Sequence, residues 1–281
     1  MACTPIVFHG QPALALTLPE GDSAIVALHG AQLLSWKPAG GPERLYLSPQ
    51  ALFDGQAAIR GGVPVCWPQF NERGPLPKHG FVRNLPWTPV PDAGDDRTVV
   101  LALRDSDATR AMWPHAFNLR LEIGLAPGTL TLGLVVENSG SDVFEFSMAL
   151  HTYLRVDDID TLRLHGLGGL PYWDSVTDTH PDPLPPGQAL AIRGETDRVY
   201  EAAAAPLTLV DRLGRLEIAQ DPTFAQTTVW NPGAELCARL AQMPADGWRG
   251  MLCVEAAVVD SPVRVGPGEV WSGAQRLAIV A

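Results

Sequence analysis

The sequence is poor in the residues that mark several common protein classes. Only four cysteines occur among 281 residues, Cys3, Cys66, Cys237 and Cys253, and none forms the C-x-x-C pair of a zinc ribbon or a thioredoxin site. They are too few and too scattered for a disulfide scaffold. Basic residues number 20 against 31 acidic ones, which gives a formal net charge of −11. Such a balance argues against a nucleic-acid partner, which needs basic patches.

Long apolar runs are also missing. No stretch approaches the roughly 18 apolar residues of a membrane span, so no membrane partner is expected. The first residues, Met1 to Pro5, lack the basic and apolar regions of a secretion signal. We therefore expect a cytoplasmic protein.

The familiar catalytic and cofactor motifs are absent. There is no G-x-S-x-G elbow, no P-loop and no G-x-G-x-x-G run after a strand. The glycine-rich segment Gly166 to Gly169 precedes Leu170 and Pro171 rather than a helix, so it does not form a phosphate cradle. No two histidines stand at H-x-H or H-x-x-x-H spacing, which gives a metal site little local support. We expect neither a cofactor nor a metal.

What the chain has is period-two alternation of apolar and polar residues, punctuated by 27 glycines and 26 prolines. This pattern predicts an all-β fold, a large antiparallel sandwich that forms a single domain over residues 1–281. A short helix is predicted at Asp107 to Met112, stopped before Pro114. The clearest strands are 99–103, 119–125, 129–136, 144–154, 251–258 and 275–280, and the second and third form a hairpin around Ala126-Pro127-Gly128.

Two of these strands carry a titratable residue outside their apolar rows. In the strand 144–154, His151 has the parity opposite to the apolar row that ends at Leu150. In the strand 251–258, Glu255 stands opposite to the row of Val254 and Val258. The two could form an acid–base pair. Alternatively, they are a hydrogen-bonded histidine and an exposed glutamate on a solvated sheet face.

A Gly- and Pro-rich stretch, Ile59 to Phe70, is followed closely by the segment Lys78 to Arg83. Glycine and proline fix unusual backbone geometry, and ordered loops of this kind often carry function. Together the two segments supply Arg60, Lys78 and Arg83, cations that point to an anionic ligand, most simply a phosphate. The alternative is a structural loop with solvated charges.

Several short blocks together carry a family resemblance. In chain order they are Arg60-Gly61-Gly62-Val63-Pro64-Val65-Cys66-Trp67-Pro68, His79-Gly80-Phe81-Val82-Arg83, Leu150-His151-Thr152-Tyr153, Glu195-Thr196-Asp197-Arg198-Val199-Tyr200, Trp230-Asn231-Pro232-Gly233 and Cys253-Val254-Glu255, followed by Pro267-Gly268-Glu269-Val270-Trp271. No single block is decisive, but their common order is highly specific. The sequence resembles the glucose-6-phosphate 1-epimerases (D-hexose-6-phosphate mutarotases) of the aldose 1-epimerase superfamily.

The resemblance implies a galactose-mutarotase-like β-supersandwich of antiparallel strands and an isomerase that interconverts the α and β anomers of hexose 6-phosphates, chiefly glucose 6-phosphate. It also implies a small phosphosugar as the partner, and we expect a monomer. Site residues carry over by position. His151 resembles the catalytic acid, Glu255 the catalytic base and His79 a second active-site histidine. The substrate contacts implied are Arg60 and Arg83 for the phosphate, Lys78 as a further contact and Asp197 for a sugar hydroxyl.

Two departures from the family pattern concern the loop around Lys78. Val82 stands where a smaller residue is common, and the segment from Asn71 to Pro77 is variable. Either Trp67 or Trp230 could cover an apolar sugar face, although buried aromatic residues more often serve a core.

Other functions stay open at this point. The chain could be a mutarotase for unphosphorylated aldoses such as galactose, a non-catalytic carbohydrate-binding module, or an accessory domain of a larger carbohydrate enzyme, since fold alone does not decide function. The cations near His79 argue against the first, and an acid–base pair argues against the second.

Overall fold

The computed structural model describes residues 3–280, whose regular structure consists almost entirely of antiparallel β-strands. The four-stranded sheet has the spatial order β1 Cys3–Phe8, β2 Gln11–Thr17, β3 Ser23–Ala27 and β4 Leu33–Lys37. The seven-stranded sheet has the order β13 Tyr172–Asp174, β14 Thr196–Glu201, β17 Gln226–Asn231, β18 Met251–Val265, β10 Phe144–Leu150 and β5 Val65–Cys66, with β11 Tyr153–Arg155 also paired to β18. The eight-stranded sheet has the order β12 Arg163–His165, β15 Leu207–Asp211, β16 Gly214–Gln220, β19 Val270–Val280, β9 Thr129–Asn138, β8 Phe117–Ala126, β7 Thr98–Arg104 and β6 Thr88–Pro89.

Helices are few and short. The α-helices are α1 Asp107–Met112 and α2 Gly233–Cys237, and the 3-10 turns are Val82–Asn84, Pro91–Ala93 and Gly247–Gly250. The first helix is the predicted one. A reciprocal pair of hydrogen bonds between Ser106 and Thr109 closes its N-terminus, which satisfies donors that a helix start otherwise leaves free. Among residues 3–280, no helix is long and apolar enough to cross a membrane.

The two large sheets pack face to face over one apolar core. Alternate residues of β8 and β9 are buried along their whole length, as the period-two pattern of the predicted hairpin requires. Trp67 lies at the centre of an aromatic cluster that joins the sheets, with its ring centroid 4.8 Å from that of Phe117 and 5.9 Å from that of Phe146. The all-β antiparallel sandwich predicted from the sequence is confirmed.

One face of the seven-stranded sheet packs in the inter-sheet core and the other is covered by loops, and the site lies on the loop-covered face. In β18, Leu252, Val254 and Ala256 belong to the inter-sheet core. The residues between them, among them Glu255, point to the opposite face, which loops cover. Because of this cover, Glu255 is only 1% exposed. The alternative of an exposed glutamate on a solvated sheet face is therefore wrong.

The predicted strand 144–154 is broken at His151. β10 ends at Leu150 and β11 begins at Tyr153, although both strands pair with β18 in one register, with Leu150 opposite Ala256 and Tyr153 opposite Cys253. The His151 amide donates to the carbonyl of Pro64 (3.0 Å), and the Tyr153 amide donates to the carbonyl of Gly62 (2.9 Å). The Gly- and Pro-rich segment, whose Val65–Cys66 forms β5, thus runs alongside the chain on both sides of His151 and holds it between the two strands. Period-two alternation carries no signal for this short interruption.

Candidate active site

A cavity of about 650 Å³ lies on the loop-covered face of the seven-stranded sheet. The predicted site residues all line it, although they come from loops and strands far apart in the sequence. They are Arg60, Lys78, His79, Arg83, His151, Asp197 and Glu255. The structure therefore brings the whole predicted set together, while the role of each residue stays a prediction.

His151 and Glu255 form a close, buried pair on the loop-covered face of the seven-stranded sheet. Nδ1 of His151 lies 3.3 Å from Oε1 of Glu255, and the two side chains are 10% and 1% exposed. The contact lacks hydrogen-bond geometry, so His151 Nδ1 and Glu255 Oε2 have no hydrogen-bond partner among residues 3–280. Buried polar atoms of this kind are costly and rare. A ligand hydroxyl in the cavity could supply the missing partners.

Burial sets the protonation of this pair. Burial raises the pKa of the Glu255 carboxyl well above its ordinary value, and the nearby Asp197 carboxylate adds to the effect. Burial also lowers the pKa of His151 to about 3, helped by the positive charges of Arg83 and Arg60. Burial therefore favours a protonated carboxyl and a neutral imidazole. This is a pair that can exchange one proton between an oxygen and a nitrogen.

His79 is held in place by its own loop. Its backbone is left-handed, with φ of 64°, and its amide donates to the carbonyl of Asn71 at 2.9 Å. The Asn71 amide in turn donates to Nδ1 of His79 at 3.2 Å. Because Nδ1 accepts this bond, a neutral His79 carries its proton on Nε2. Burial and the neighbouring His151 and Arg83 lower the pKa of His79, so the neutral ring is the form present and can donate from Nε2.

Three cations without carboxylate partners face the same cavity. No Asp or Glu oxygen of the described chain lies within 4.0 Å of the charged nitrogens of Arg60, Lys78 or Arg83. Arg60 donates to the Tyr153 hydroxyl at 3.1 Å, and Arg83 donates to the carbonyl of Lys78 at 2.9 Å. The Nε atoms of both arginines are buried without a hydrogen-bond partner. The alternative of a loop with solvated charges does not fit these half-buried guanidinium groups.

Asp197 lies in β14, which pairs with β17 so that Asp197 stands opposite Trp230. Burial raises the pKa of the Asp197 carboxyl, while the positive charge of Lys78 lowers it. Trp230 also lines the cavity. Trp67 does not, because it is 0% exposed in the inter-sheet core. Of the two tryptophans weighed from the sequence, only Trp230 is placed to contact a ligand.

Tyr153 and Thr228 are two of the cavity-lining residues that were not singled out from the sequence as site residues. The Tyr153 ring stacks on the His151 ring, with centroids 4.7 Å apart and planes 11° from parallel. Thr228 stands opposite Glu255 in the β17–β18 pairing, and its hydroxyl has no hydrogen-bond partner among residues 3–280. Tyr153 falls inside the block that contains His151, so its position was a usable signal. Nothing in the local sequence marks Thr228.

One group in the described chain has metal-ligand spacing: atoms of His151, Cys253 and Glu255 lie within 4.8 Å of one another. Cys253 does not line the cavity but packs in an apolar cluster with Tyr153 and Met251. Burial raises the pKa of its thiol well above the ordinary value, whereas metals bind the thiolate. This donor set fits a metal poorly.

Comparison with known proteins identifies the family. The family model described as aldose 1-epimerase matches residues 12–278. The chain belongs to the aldose 1-epimerase family. Within this family, a protein of Cenchrus ciliaris named "Putative glucose-6-phosphate 1-epimerase" is 35% identical over 269 residues, which cover 92% of this chain and 81% of that one. A protein of Escherichia coli (strain K12) with the same name is 39% identical over 248 residues, 86% of this chain and 82% of that one.

A solved structure agrees with this aldose 1-epimerase assignment. The crystal structure of a protein from Salmonella typhimurium, described as a "putative mutarotase", superimposes with a TM-score of 0.88 at 32% sequence identity. The match covers 99% of this chain and 94% of that one. The resemblance to the epimerase superfamily and the mutarotase fold predicted from the sequence are both confirmed.

Proposed function

We propose that this aldose 1-epimerase family member interconverts the α and β anomers of hexose 6-phosphates, chiefly glucose 6-phosphate. One observation carries the proposal. A buried His151–Glu255 pair, 3.3 Å apart, shares its cavity with Arg60, Lys78 and Arg83. The pair provides acid–base chemistry, and the cations provide recognition of a phosphate. The names of the relatives above support the same substrate class.

Ring opening needs one proton removed and one supplied. The Glu255 carboxylate takes the proton of the C1 hydroxyl as the C1–O bond becomes a carbonyl. The C1–O5 bond breaks, its electron pair stays on O5, and protonated His151 donates a proton to that oxygen. Rotation about C1–C2 presents the other face of the aldehyde. Reclosure returns both protons and gives the other anomer, so no net proton, electron or co-reactant is consumed.

The remaining residues position the sugar. The Nε2–H of His79 donates to the ring oxygen or to a neighbouring hydroxyl and stabilises charge that develops there. Asp197 accepts from a sugar hydroxyl. Guanidinium groups bind phosphate oxygens in a fixed fork, so Arg60 and Arg83 hold the phosphate, and the exposed Lys78 adds a third charge. Binding of the remote phosphate thereby places C1 at the His151–Glu255 pair.

Anomer exchange measured by NMR saturation transfer tests this function on glucose 6-phosphate, glucose and galactose side by side. We expect enzyme-dependent exchange on the phosphosugar and far less on the free sugars. In Arg83→Ala, exchange of glucose 6-phosphate should fall by a much larger factor than exchange of free glucose. Exchange confined to free sugars would leave the acid–base pair in place but refute the phosphate assignment. Sugar binding with no exchange at all would indicate a binding module.

A further inference from the structure

The three cavity cations act on the acid–base pair as well as on a ligand. Burial lowers the pKa of His151 most, and the positive charges of Arg83, Arg60 and Lys78 lower it further. Burial raises the pKa of Glu255, and the charge of Asp197 adds to that effect. The cations therefore oppose a proton on the imidazole, which is where the acid of the ring-opening step must carry it.

An anion bound among these cations would offset their part of that bias, because opposite charge cancels the field that the cations exert on the imidazole, and this effect is strong in a site shielded from water. One proton of the close pair would then pass from the Glu255 carboxyl to Nδ1 of His151, once the two side chains turn their 3.3 Å contact into a hydrogen bond. The result is a carboxylate that can act as base and an imidazolium that can act as acid. No proton enters or leaves the protein.

The other groups that face His151 do not compensate in the anion's place. The His79 ring, with its centroid 5.5 Å away, is neutral and adds no negative charge. The stacked Tyr153 ring is a neutral phenol, because burial raises the pKa of its hydroxyl well above the ordinary value. Asp197 and Glu195 also line the cavity, but among residues 3–280 no carboxylate oxygen lies within 4.0 Å of the charged nitrogens of the three cations. A ligand anion can therefore occupy the place beside them.

We propose that the cluster of Arg60, Lys78 and Arg83 is an activating oxyanion site, so that a free phosphite, phosphate or sulfate dianion bound there switches on mutarotation of an unphosphorylated hexose in the same cavity. The cavity of about 650 Å³ has room for a hexose and a separate small anion. This inference rests on the proposed function, because it assigns the phosphoryl group of the substrate a second task. Besides anchoring the sugar, the group sets the protonation state of the catalytic pair.

The inference is tested by supplying free glucose and an oxyanion as two separate molecules. Anomer exchange of free glucose is measured by saturation transfer with the enzyme, while sodium phosphite or sodium sulfate is titrated at constant ionic strength against sodium chloride. Enzyme-free blanks at each concentration are subtracted, because oxyanion bases catalyse mutarotation on their own, sulfate least of all. We expect enzyme-dependent exchange to rise about 5- to 150-fold, the usual range of coupling between two sites. The rise should saturate over the concentrations at which the same oxyanion inhibits exchange of glucose 6-phosphate.

Variants locate the effect. Lys78→Ala removes an exposed side chain and should weaken the activation without loss of the fold. Arg83→Ala should abolish activation. Arg120→Ala is the matched control, since Arg120 is exposed on β8, and it should leave the activation unchanged.

The outcomes separate this inference from the proposed function. If glucose 6-phosphate is exchanged and the oxyanion inhibits that exchange but does not speed exchange of free glucose, the site only anchors the substrate and the inference is refuted. It is also refuted if glucose 6-phosphate is exchanged and the oxyanions have no effect on either sugar. If glucose 6-phosphate is not exchanged at all, the proposed function itself fails.

Discussion

At the scale of the residue, the site depends on a carboxyl and an imidazole that burial pushes in opposite directions. Burial favours a protonated Glu255 and a neutral His151, because a low-dielectric surrounding disfavours each charged form. The pair carries one proton, but on the carboxyl, whereas the ring-opening step needs it on the imidazole. Such an arrangement costs stability in the free protein, and this cost can be measured.

Replacing Glu255 with Gln tests that cost. The folded-state pKa of Glu255 lies above the ordinary value of 4.5, which is taken as that of the unfolded state. At pH values between these two pKa values, the folded state binds more protons than the unfolded state. Stability from this group is present below the unfolded pKa and is lost as pH rises. Relative to Glu255→Gln, the wild type should lose up to about 1.4 kcal/mol of unfolding free energy per pH unit above that value.

Urea unfolding of both proteins at several pH values between about 5 and 8 measures the difference. Glu145→Gln is the control, since Glu145 is exposed on β10 and its replacement makes the same chemical change without altering a buried carboxyl. A difference for Glu255→Gln that varies with pH no more than that of this control would contradict the buried, protonated carboxyl.

The residues of the site could be predicted only in part, and for physical reasons. Parity along a strand separated His151 and Glu255 from their apolar rows, because the pleat fixes side-chain direction. Strand parity could not show that loops cover this face of the sheet, since the burial there comes from residues distant in sequence. The cations were suggested by composition, but their sharing of one cavity with the pair was implied only by the family resemblance.

At the scale of the element, the loop from Ile59 to Arg83 does most to shape the site. It supplies carbonyls to the amides of His151 and Tyr153, and it carries His79 and the cations. Its two segments are tied together where the Phe81 amide donates to the carbonyl of Trp67 at 3.2 Å. The backbone at Gly80 passes so close to the Trp67 carbonyl that a Cβ atom does not fit. The Gly- and Pro-rich composition predicted an ordered loop, but not that part of it pairs with β10 as the short strand β5.

Gly80→Ala should therefore disrupt the loop. Gly80 has φ of +70°, and an added Cβ would lie 2.0 Å from the carbonyl oxygen of Trp67. We expect a loss of at least about 2 kcal/mol in unfolding free energy, together with a loss of anomer exchange. Gly187→Ala is the control: its φ is +79° with nothing within 4 Å of the added Cβ, so it carries only the left-handed penalty of about 1–2 kcal/mol. Equal losses in the two variants, measured by urea unfolding, would contradict the close approach at Gly80.

At the scale of the whole molecule, attraction of an anion is confined to the cavity, whereas the apolar core extends through all three sheets. The chain carries a formal net charge of −11, which repels an anion at long range, although salt screens this beyond about 8 Å. Attraction of a phosphate is therefore a property of the cavity alone. The core, in contrast, is continuous: one apolar cluster contains residues from the four-stranded sheet and from both large sheets. This continuity supports the expectation of a single domain over residues 1–281.

A single domain should unfold as one unit. Urea unfolding followed by tryptophan fluorescence, which reports on the 8 tryptophans, should coincide with unfolding followed by far-ultraviolet circular dichroism. The reason is that the aromatic cluster around Trp67 joins the two large sheets, so neither sheet retains its buried face without the other. Two separate transitions would contradict the single unit.

The central claim is that the buried His151–Glu255 pair opens and closes the ring of a phosphorylated hexose. Saturation transfer between the anomers of glucose 6-phosphate, measured with the wild type and with Glu255→Gln at equal substrate saturation, tests it most directly. We predict enzyme-dependent exchange with the wild type and a loss of about 10²- to 10⁴-fold in kcat with the variant, while substrate binding is retained. Wild-type exchange by Glu255→Gln, or no exchange of glucose 6-phosphate by the wild type, would contradict the account.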